Sequence, residues 1–320
     1  MTADIVRIRE VDGGDADLEV IVSIVNGSGS RESTSVEEIR WAEATYPGAT
    51  RLLAELDGRP VGAASVGRIY MHPPEFDGLW ATLHVLETAR RRGIGSRLLD
   101  RLAERARTAG KTALHIPVWD DRPDAVGFLL RRGFREYERD RVVQLDLVGL
   151  AVPPLDLPAG ITLTTLADRP DLVTGVHELA VEAFADIPGG DEPTDAGDLA
   201  AFRARDVDRR SIPPAAFKVA LDATTGRVVG YASLLLMPGQ PTAAWHDMTA
   251  VARSWRGRGV AGALKRATIA WAIQHGLERL ETGNDVDNAP MRAVNAKLGY
   301  RPLADRLVLR GPAGGAIMDR

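Results

Sequence analysis

Two arginines and two glycines, set between a β-branched run and an apolar-periodic helix, are the residues best suited in this chain to hold an anion. The run Thr249-Ala250-Val251 passes through Ala252-Arg253-Ser254-Trp255 into Arg256-Gly257-Arg258-Gly259, and Val260-Ala261 opens the helix. Glycine at positions 257 and 259 removes the side chains that would keep a ligand from the backbone, so successive N–H groups can point at one anion. The positive end of the helix dipole adds to that field. Arg256 and Arg258 bring mobile positive charge beside it, which suits a diphosphate better than a single carboxylate. The missing Gly-Lys-Ser/Thr ending excludes a Walker A loop, and the missing third glycine a Rossmann fingerprint.

Groups able to move a proton lie just upstream. Asp247 and His246 precede Val251 by a few residues, and strand alternation puts Asp247, Thr249 and Val251 on one side with His246 on the other. Downstream, Asn284, Asn288 and Asn295 offer carboxamides that donate and accept together. Asn288 also reads as a helix N-cap, because Pro290 stands just inside the helix that follows. The other histidines, at 72, 84, 115, 177 and 275, show no metal-ligand spacing, and no metal is expected.

The same loop occurs twice. Val85, Arg90 and Gly93 stand 166 residues before Val251, Arg256 and Gly259, in a stretch that continues Arg90-Arg91-Arg92-Gly93-Ile94-Gly95-Ser96. Gly110 and Gly276 end the two following helices at that offset, and Gly133-Phe134 repeats as Gly299-Tyr300. A register held over such a distance implies tandem duplication of one domain. The asparagines break the symmetry, because their counterparts are Val118, Arg122 and Leu129.

Length and composition agree with two domains. The chain has 320 residues, 45% of them apolar, enough for two ordinary cores. Forty basic against forty-four acidic residues argue against nucleic acid as the main partner. Zero cysteines exclude disulfides, thiolate metal sites and a thiol nucleophile. The N-terminus MTADIVRIRE has no apolar leader and no run reaches membrane-spanning length, so a cytoplasmic protein without membrane contact is expected.

The elements that must carry these residues form an α/β pattern of mixed sheets flanked by helices. Residues 1–150 are expected to form the first domain, 151–159 a linker rich in proline, and 160–320 the second domain. Ile5–Arg9 alternates as a strand, Leu18–Asn26 as a helix, and Ser35 caps a second helix. Asp57-Gly58 and the stretch 222–226 each join a hairpin. Strands are predicted over 80–86, entering the first loop, and 111–118, with Val142–Leu147 closing the first domain. Ala185–Gly197 lengthens one loop of the second half, either as an acceptor-binding loop or as a surface insertion.

Both copies fit Arg-x-x-Gly-x-Gly/Ala between a strand and a helix, with Gly-Phe or Gly-Tyr about forty residues later. In this the chain resembles the GNAT superfamily of acyl-CoA-dependent N-acyltransferases over nearly its whole length. The resemblance implies that the loop Arg256 to Ala261 cradles the pyrophosphate of acetyl-CoA, and that Thr249 and Val251 pair through their backbone with its pantetheine arm. It also implies that Asn284, Asn288 and Asn295 contact the coenzyme, and that a backbone N–H near Val251 stabilises an oxyanion. The implied reaction is direct attack of an amine on the acetyl thioester, with Asp247 as general base through water, or else His246. Val85 and Arg90 to Ser96 form a second possible cofactor site in a half that otherwise reads as a retained fold. Many relatives place a tyrosine four residues before the Gly-Phe/Tyr pair to protonate the departing thiolate. Here Asn295 and Leu129 stand there. A small-molecule primary amine is the expected acceptor and a monomer or homodimer the expected state. A non-catalytic acyl-CoA sensor and a tandem aminoacyl or other acyl transferase are the alternatives.

Overall fold

The computed structural model describes residues 5–69, 71–73, 75–188 and 194–314. The first residues of the N-terminus and positions 189–193 of the Gly/Pro/Asp-rich stretch lie outside the described residues. In chain order the elements begin with β1 (Val6–Glu10), α1 (Asp15–Gly27), α2 (Val36–Thr45), β2 (Thr50–Leu56), β3 (Arg59–Arg68) and β4 (Leu79–Val85). Next come α3 (Ile94–Thr108), β5 (Ala113–Trp119), α4 (Pro123–Leu130) and β6 (Arg135–Asp146). They repeat as β7 (Ile161–Thr165), α5 (Val173–Phe184), α6 (Leu199–Phe202), β8 (Lys218–Asp222), β9 (Val228–Leu236) and β10 (Ala243–Val251). The chain closes with α7 (Val260–Gln274), β11 (Arg279–Asp285), α8 (Ala289–Lys297), β12 (Arg301–Pro302) and β13 (Arg306–Pro312).

Local chemistry explains many boundaries. Ser35 accepts the Glu38 N–H at 3.2 Å and so starts α2. Asp57 and Gly58 both take positive φ, +49° and +77°, the turn that matches the twist of a two-residue hairpin. Asp222 holds the second hairpin turn by accepting from the Thr224 N–H and the Thr225 hydroxyl.

The chain forms two compact units that exchange a strand. One unit is Met1–Arg139 with Asp305–Arg320; the other is Asp140–Ala304. The division expected at 150 and 160 therefore differs from the spatial one at both ends. The strand predicted over 142–147 exists within β6, but its residues from Asp140 onward pair with β11 rather than closing the first sheet. The first sheet is completed instead by β13, antiparallel to β5 from Arg306↔Trp119 to Pro312↔Ala113. Sequence reading missed this because a closing strand pairs with whichever open edge the fold offers, and its own pattern does not name the edge.

Strand order is β1-β2-β3-β4-β5-β13 in the first unit and β7-β8-β9-β10-β11-β6 in the second, with β12 also against β6. Among the described pairings, β4 with β5 and β10 with β11 run parallel. In the first unit Leu18, Ile21 and Ile24 of α1 pack on Leu53 and Ala63, while Ile94, Leu98 and Leu102 of α3 pack on the opposite face. In the second, α5 and Phe202 cover Val219, Tyr231 and Ala250, while Val260 and Leu264 of α7 cover Ala220 and Ala232. Each such leucine contributes about 1.5–3 kcal/mol of burial, so the sheets are fixed between their helices.

Candidate active site

In the second unit β10 and β11 are paired only at Ala243↔Arg279, Ala244↔Leu280 and Trp245↔Glu281. Both strands continue, to Val251 and Asp285, so they splay apart beyond Trp245. On its other side β10 stays paired with β9 to Val251↔Gly230. The Ala252 N–H bond to the Val229 carbonyl at 2.9 Å fixes the phase of that ladder. Thr249 and Val251 fall at its non-bonded positions, so their N–H and C=O groups face the splay. Beyond Trp245 this edge of β10 is not paired with β11.

The register of β10 slips between His246 and Thr249. A bulge of this kind puts two successive side chains on one face. Met248 packs with Ala250 and Tyr231 under α5, whereas Thr249's partner Ala232 and Val251 belong to the α7 side. Asp247 lies within 3.5 Å of the Ser233 hydroxyl, and Ser233 shares its face with Tyr231. The expected placement of Asp247, Thr249 and Val251 on one side is thus corrected: the bulge parts Asp247 from the other two.

Around Asp247 the structure gathers polar groups that sequence reading did not single out. Residues Arg203–Val207 wind as a π-turn, closed by the Asp208 N–H on the Arg203 carbonyl at 2.7 Å. This turn carries Asp206, bound to Arg205 at 2.6 Å. Among the described residues, the buried Tyr231 hydroxyl has no hydrogen-bond partner. Surrounding protein, with Asp206 nearby, pushes the Asp247 carboxyl up to about 6, opposed by Arg209. Asp247 nonetheless presents exposed surface, so water reaches it. A carboxylate that ionises near 6 beside water is suited to accept a proton from an amine. No spacing in the sequence links Ser233, Tyr231 or Asp206 to Asp247; only the β9 register and the π-turn bring them together.

His246 is in the core. It has no exposed surface, its Nδ1 lies 2.6 Å from the Tyr300 hydroxyl, and its Nε2 bonds Thr268. Burial first, then the nearby Lys265, holds its pKa well below the ordinary value. Both ring nitrogens are occupied on the α7 side of the sheet, so the alternative role of His246 as base is corrected to a structural one.

At the end of β10 the loop has the form the sequence implied. Gly257 and Gly259 take φ of +75° and +86°, and a Cβ at Gly257 would meet nothing within 4 Å. The loop opens into α7 at Val260-Ala261, whose first N–H groups are unpaired by geometry. Arg258 is exposed, with its guanidinium 4.8 Å from the Trp255 ring. Arg256 is braced rather than mobile: its Nε donates to the Val251 carbonyl at 3.0 Å and it pairs with Asp186 at 2.7 Å. Arg253 and Arg256 together hold the Asp186 carboxyl far below the usual carboxylate range.

Two of the three asparagines converge. Asn295 Nδ2 donates to Asn284 Oδ1 at 2.7 Å, and Asn295 Oδ1 is buried without a partner among the described residues. Such an orphaned acceptor fits an amide N–H of an extended ligand. Asn288 caps α8 by accepting the Met291 N–H at 3.3 Å, which engages its side-chain oxygen in the fold.

The first unit repeats the frame with differences. Strands β4 and β5 pair only at Leu79↔Leu114 and Trp80↔His115, and β4 lies on β3 without a register slip. Arg91 takes the left-handed conformation of Gly257, with φ +64°, ahead of Gly93 at +79°. Arg90 is again a brace, donating to the Ser28 carbonyl at 2.7 Å and to the Val85 carbonyl at 3.3 Å. Ser96 accepts from Arg132 at 2.6 Å. A cavity of about 450 Å³ opens here, lined by Val85, Arg91, Gly93, Ile94, Gly95 and Ser96 among others.

The splays and loops are those of a known family. The family described as "Acetyltransferase (GNAT) family" matches residues 21–134 and again 176–300. A "Mycothiol acetyltransferase" of Clavibacter michiganensis subsp. michiganensis is 31% identical over 280 residues, covering 84% of this chain and 82% of that protein. A "Tandem GNAT protein from the clavulanic acid biosynthesis pathway" superposes with a TM-score of 0.77 at 23% identity, covering 98% of this chain and 100% of the other. A GCN5-related N-acetyltransferase from Sphaerobacter thermophilus gives 0.73 at 19% identity, covering 96% of each chain. With both halves matched, the chain belongs to the GNAT acetyltransferase family and is an acyltransferase enzyme carrying that fold twice.

Proposed function

We propose that the second unit transfers an acetyl group from acetyl-CoA directly to a primary amine of a small molecule. The observation that carries this reading is the bulge in β10, which turns Asp247 toward one face while leaving the Thr249 backbone and the Val251 N–H facing the splay. Gly257, Arg258 and Gly259 with the N-terminus of α7 would hold the pyrophosphate. Asn284 and Asn295 would meet the pantetheine amides, and the Val251 N–H would donate to the developing oxyanion. Asp247 takes the amine proton, directly or through water, and the Ser233 hydroxyl, 3.5 Å away, positions it. The small-molecule acceptor draws support from the relative named as a mycothiol acetyltransferase, which 84% of this chain matches.

The test is thiol release from acetyl-CoA with a panel of small amines, among them the acceptor of mycothiol acetyltransferase, together with calorimetric titration of acetyl-CoA. Asp247→Asn is expected to cut turnover by about 100-fold or more while acetyl-CoA affinity holds. Unchanged turnover would remove Asp247 from the chemistry. Loss of affinity in step with turnover would make it a binding residue instead.

A further inference from the structure

The first unit holds polar groups that the reaction at Asp247 does not use. Its cavity is bounded by the Arg91 to Ser96 loop, by the open edges of β4 and β5, and by the turn that follows α1. Ser28, Glu32 and His84 line it together. The position 166 residues after His84 is Ala250, so no imidazole stands at this point of the second unit.

The hydrogen bonds assign the proton on His84. The Ser28 hydroxyl donates to the Val25 carbonyl at 2.8 Å, so toward His84 Nδ1, 3.3 Å away, it can only accept. The hydrogen is therefore on Nδ1, and Nε2 keeps its lone pair. Beyond Nε2 lies Glu32 Oε2 at 3.8 Å, on a side chain with a third of its surface exposed. A proton taken up at Nε2 would face a carboxylate. Burial holds the imidazole below its ordinary pKa, with Glu32 opposing, so it is neutral at pH 7 and able to accept. The next residue, Val85, and Leu83 have their N–H and C=O groups at the open edge of β4, because the Leu86 N–H bond to the Val61 carbonyl sets the same ladder phase as in β10.

We infer that His84 is the general base of a second acyl-transfer centre in the first unit, which takes an acyl-CoA on the Arg91 to Ser96 loop and a small primary amine between His84 and Glu32. The amine nitrogen bonds to the thioester carbonyl carbon and gives its proton to His84 Nε2, where Glu32 stabilises the imidazolium. The C–S bond breaks, the thiolate of coenzyme A leaves and takes a proton from solvent, the imidazolium of His84 returns its own proton to solvent, and the products are the amide and free coenzyme A. Arg90 has a positioning role: it ties the Ser28 carbonyl to the end of β4, and so holds the serine that fixes the tautomer.

The experiment uses the full chain with Asp247→Asn and Arg258→Ala, which silence the second unit, acetyl-CoA as donor and hydroxylamine as a small surrogate amine. Thiol release above the buffer rate is expected to persist, with acetyl-CoA still binding by calorimetry. Adding His84→Gln should lower that release about 100-fold without changing acetyl-CoA affinity, and Glu32→Gln should give a smaller loss. Release at the buffer rate in the silenced chain overturns the inference, as does release indifferent to His84→Gln. A fall in affinity that tracks the fall in rate also overturns it, because it would make His84 a structural residue of the cleft. The role of Asp247 is read separately, from the unsilenced chain against Asp247→Asn alone, so the two readings can fail independently.

Discussion

One exposed carboxyl and one buried amine carry the sharpest consequences at the scale of single residues. Asp247 is pushed up to about 6 by the surrounding protein and by Asp206. As a base it works only ionised, so kcat/KM should climb through an apparent pKa near 6 and level off above it. Asp206→Asn, which removes the neighbouring charge, should move that limb to lower pH. A limb that stays in place would detach the profile from this pair. Lys265 is fully buried in α7, 5.4 Å above the Tyr300 ring, and burial holds its amine at about 7 against an ordinary 10.5. Below pH 7 the folded and unfolded chains both carry the proton and the buried charge is destabilising. Between 7 and 10.5 the unfolded chain keeps a proton that the folded one has released, so stability rises with pH. The difference is on the order of 5 kcal/mol across that window. Lys265→Met should therefore unfold at higher denaturant at pH 7 than the native chain, and the gap should narrow by pH 9.5. Parallel unfolding curves at both pH values would contradict this.

At the scale of elements, the strand, loop and helix succeed as a unit because each solves a backbone problem of the next. Strand β10 leaves β11 after Trp245, which frees amides, and the bulge turns Asp247 to the face of Ser233. Arg256 then ties the Val251 carbonyl to Asp186, at the end of α5, and so keeps the splay from relaxing. Gly259 supplies the left-handed turn into α7, at φ +86°. A β-branched side chain there is strained by about 1–2 kcal/mol and covers the helix N-terminus. Gly259→Val should lower the melting temperature and weaken acetyl-CoA binding in the second unit. If calorimetry shows the same affinity, the pyrophosphate does not sit on this loop. The counterpart Gly93→Val is expected to act on the first unit alone, which separates two binding events in one titration.

At the scale of the whole molecule, the exchange of closing strands decides what can be cut. Residues Asp140–Asp146 of β6 pair with β11, and β13 pairs with β5, so the second sheet takes residues that precede the proline-rich linker and the first takes a strand from the far end of the chain. Leu307 and Leu309 of β13 are almost fully buried in the first core. Their truncation to alanine should each cost about 2–5 kcal/mol. Cleavage at Pro153-Pro154 leaves a first fragment without β13 and a second without its β6 residues. Neither fragment is expected to show a cooperative melt alone, whereas mixing or coexpressing them should restore it. Cooperative folding of fragment 1–153 by itself would show that β13 is dispensable.

Repeat, loop and helix caps were legible in the sequence because they rest on local rules. Glycine is favoured where φ turns positive, as at Gly257 and Gly259; a cap oxygen sits at Ser35 and Asn288; and the shared offset from Val85 to Val251 records duplication directly. The pairing of Asn284 with Asn295 was close to legible too, since a strand end and the helix that follows it stay neighbours. What the tertiary structure alone decided depends on partners far apart in the chain. Alternation put Asp247 beside Thr249, but a slip against β9 reversed that. His246 stood as the alternative to Asp247 until Tyr300 and Thr268 closed on both its nitrogens. Ser28, Glu32 and His84 share no motif, and meet because α1 ends over the edge of β4. The closing strands exchanged for the same reason: a strand's own residues specify that it will pair and which face it buries, while the edge it joins is set by the assembled sheet.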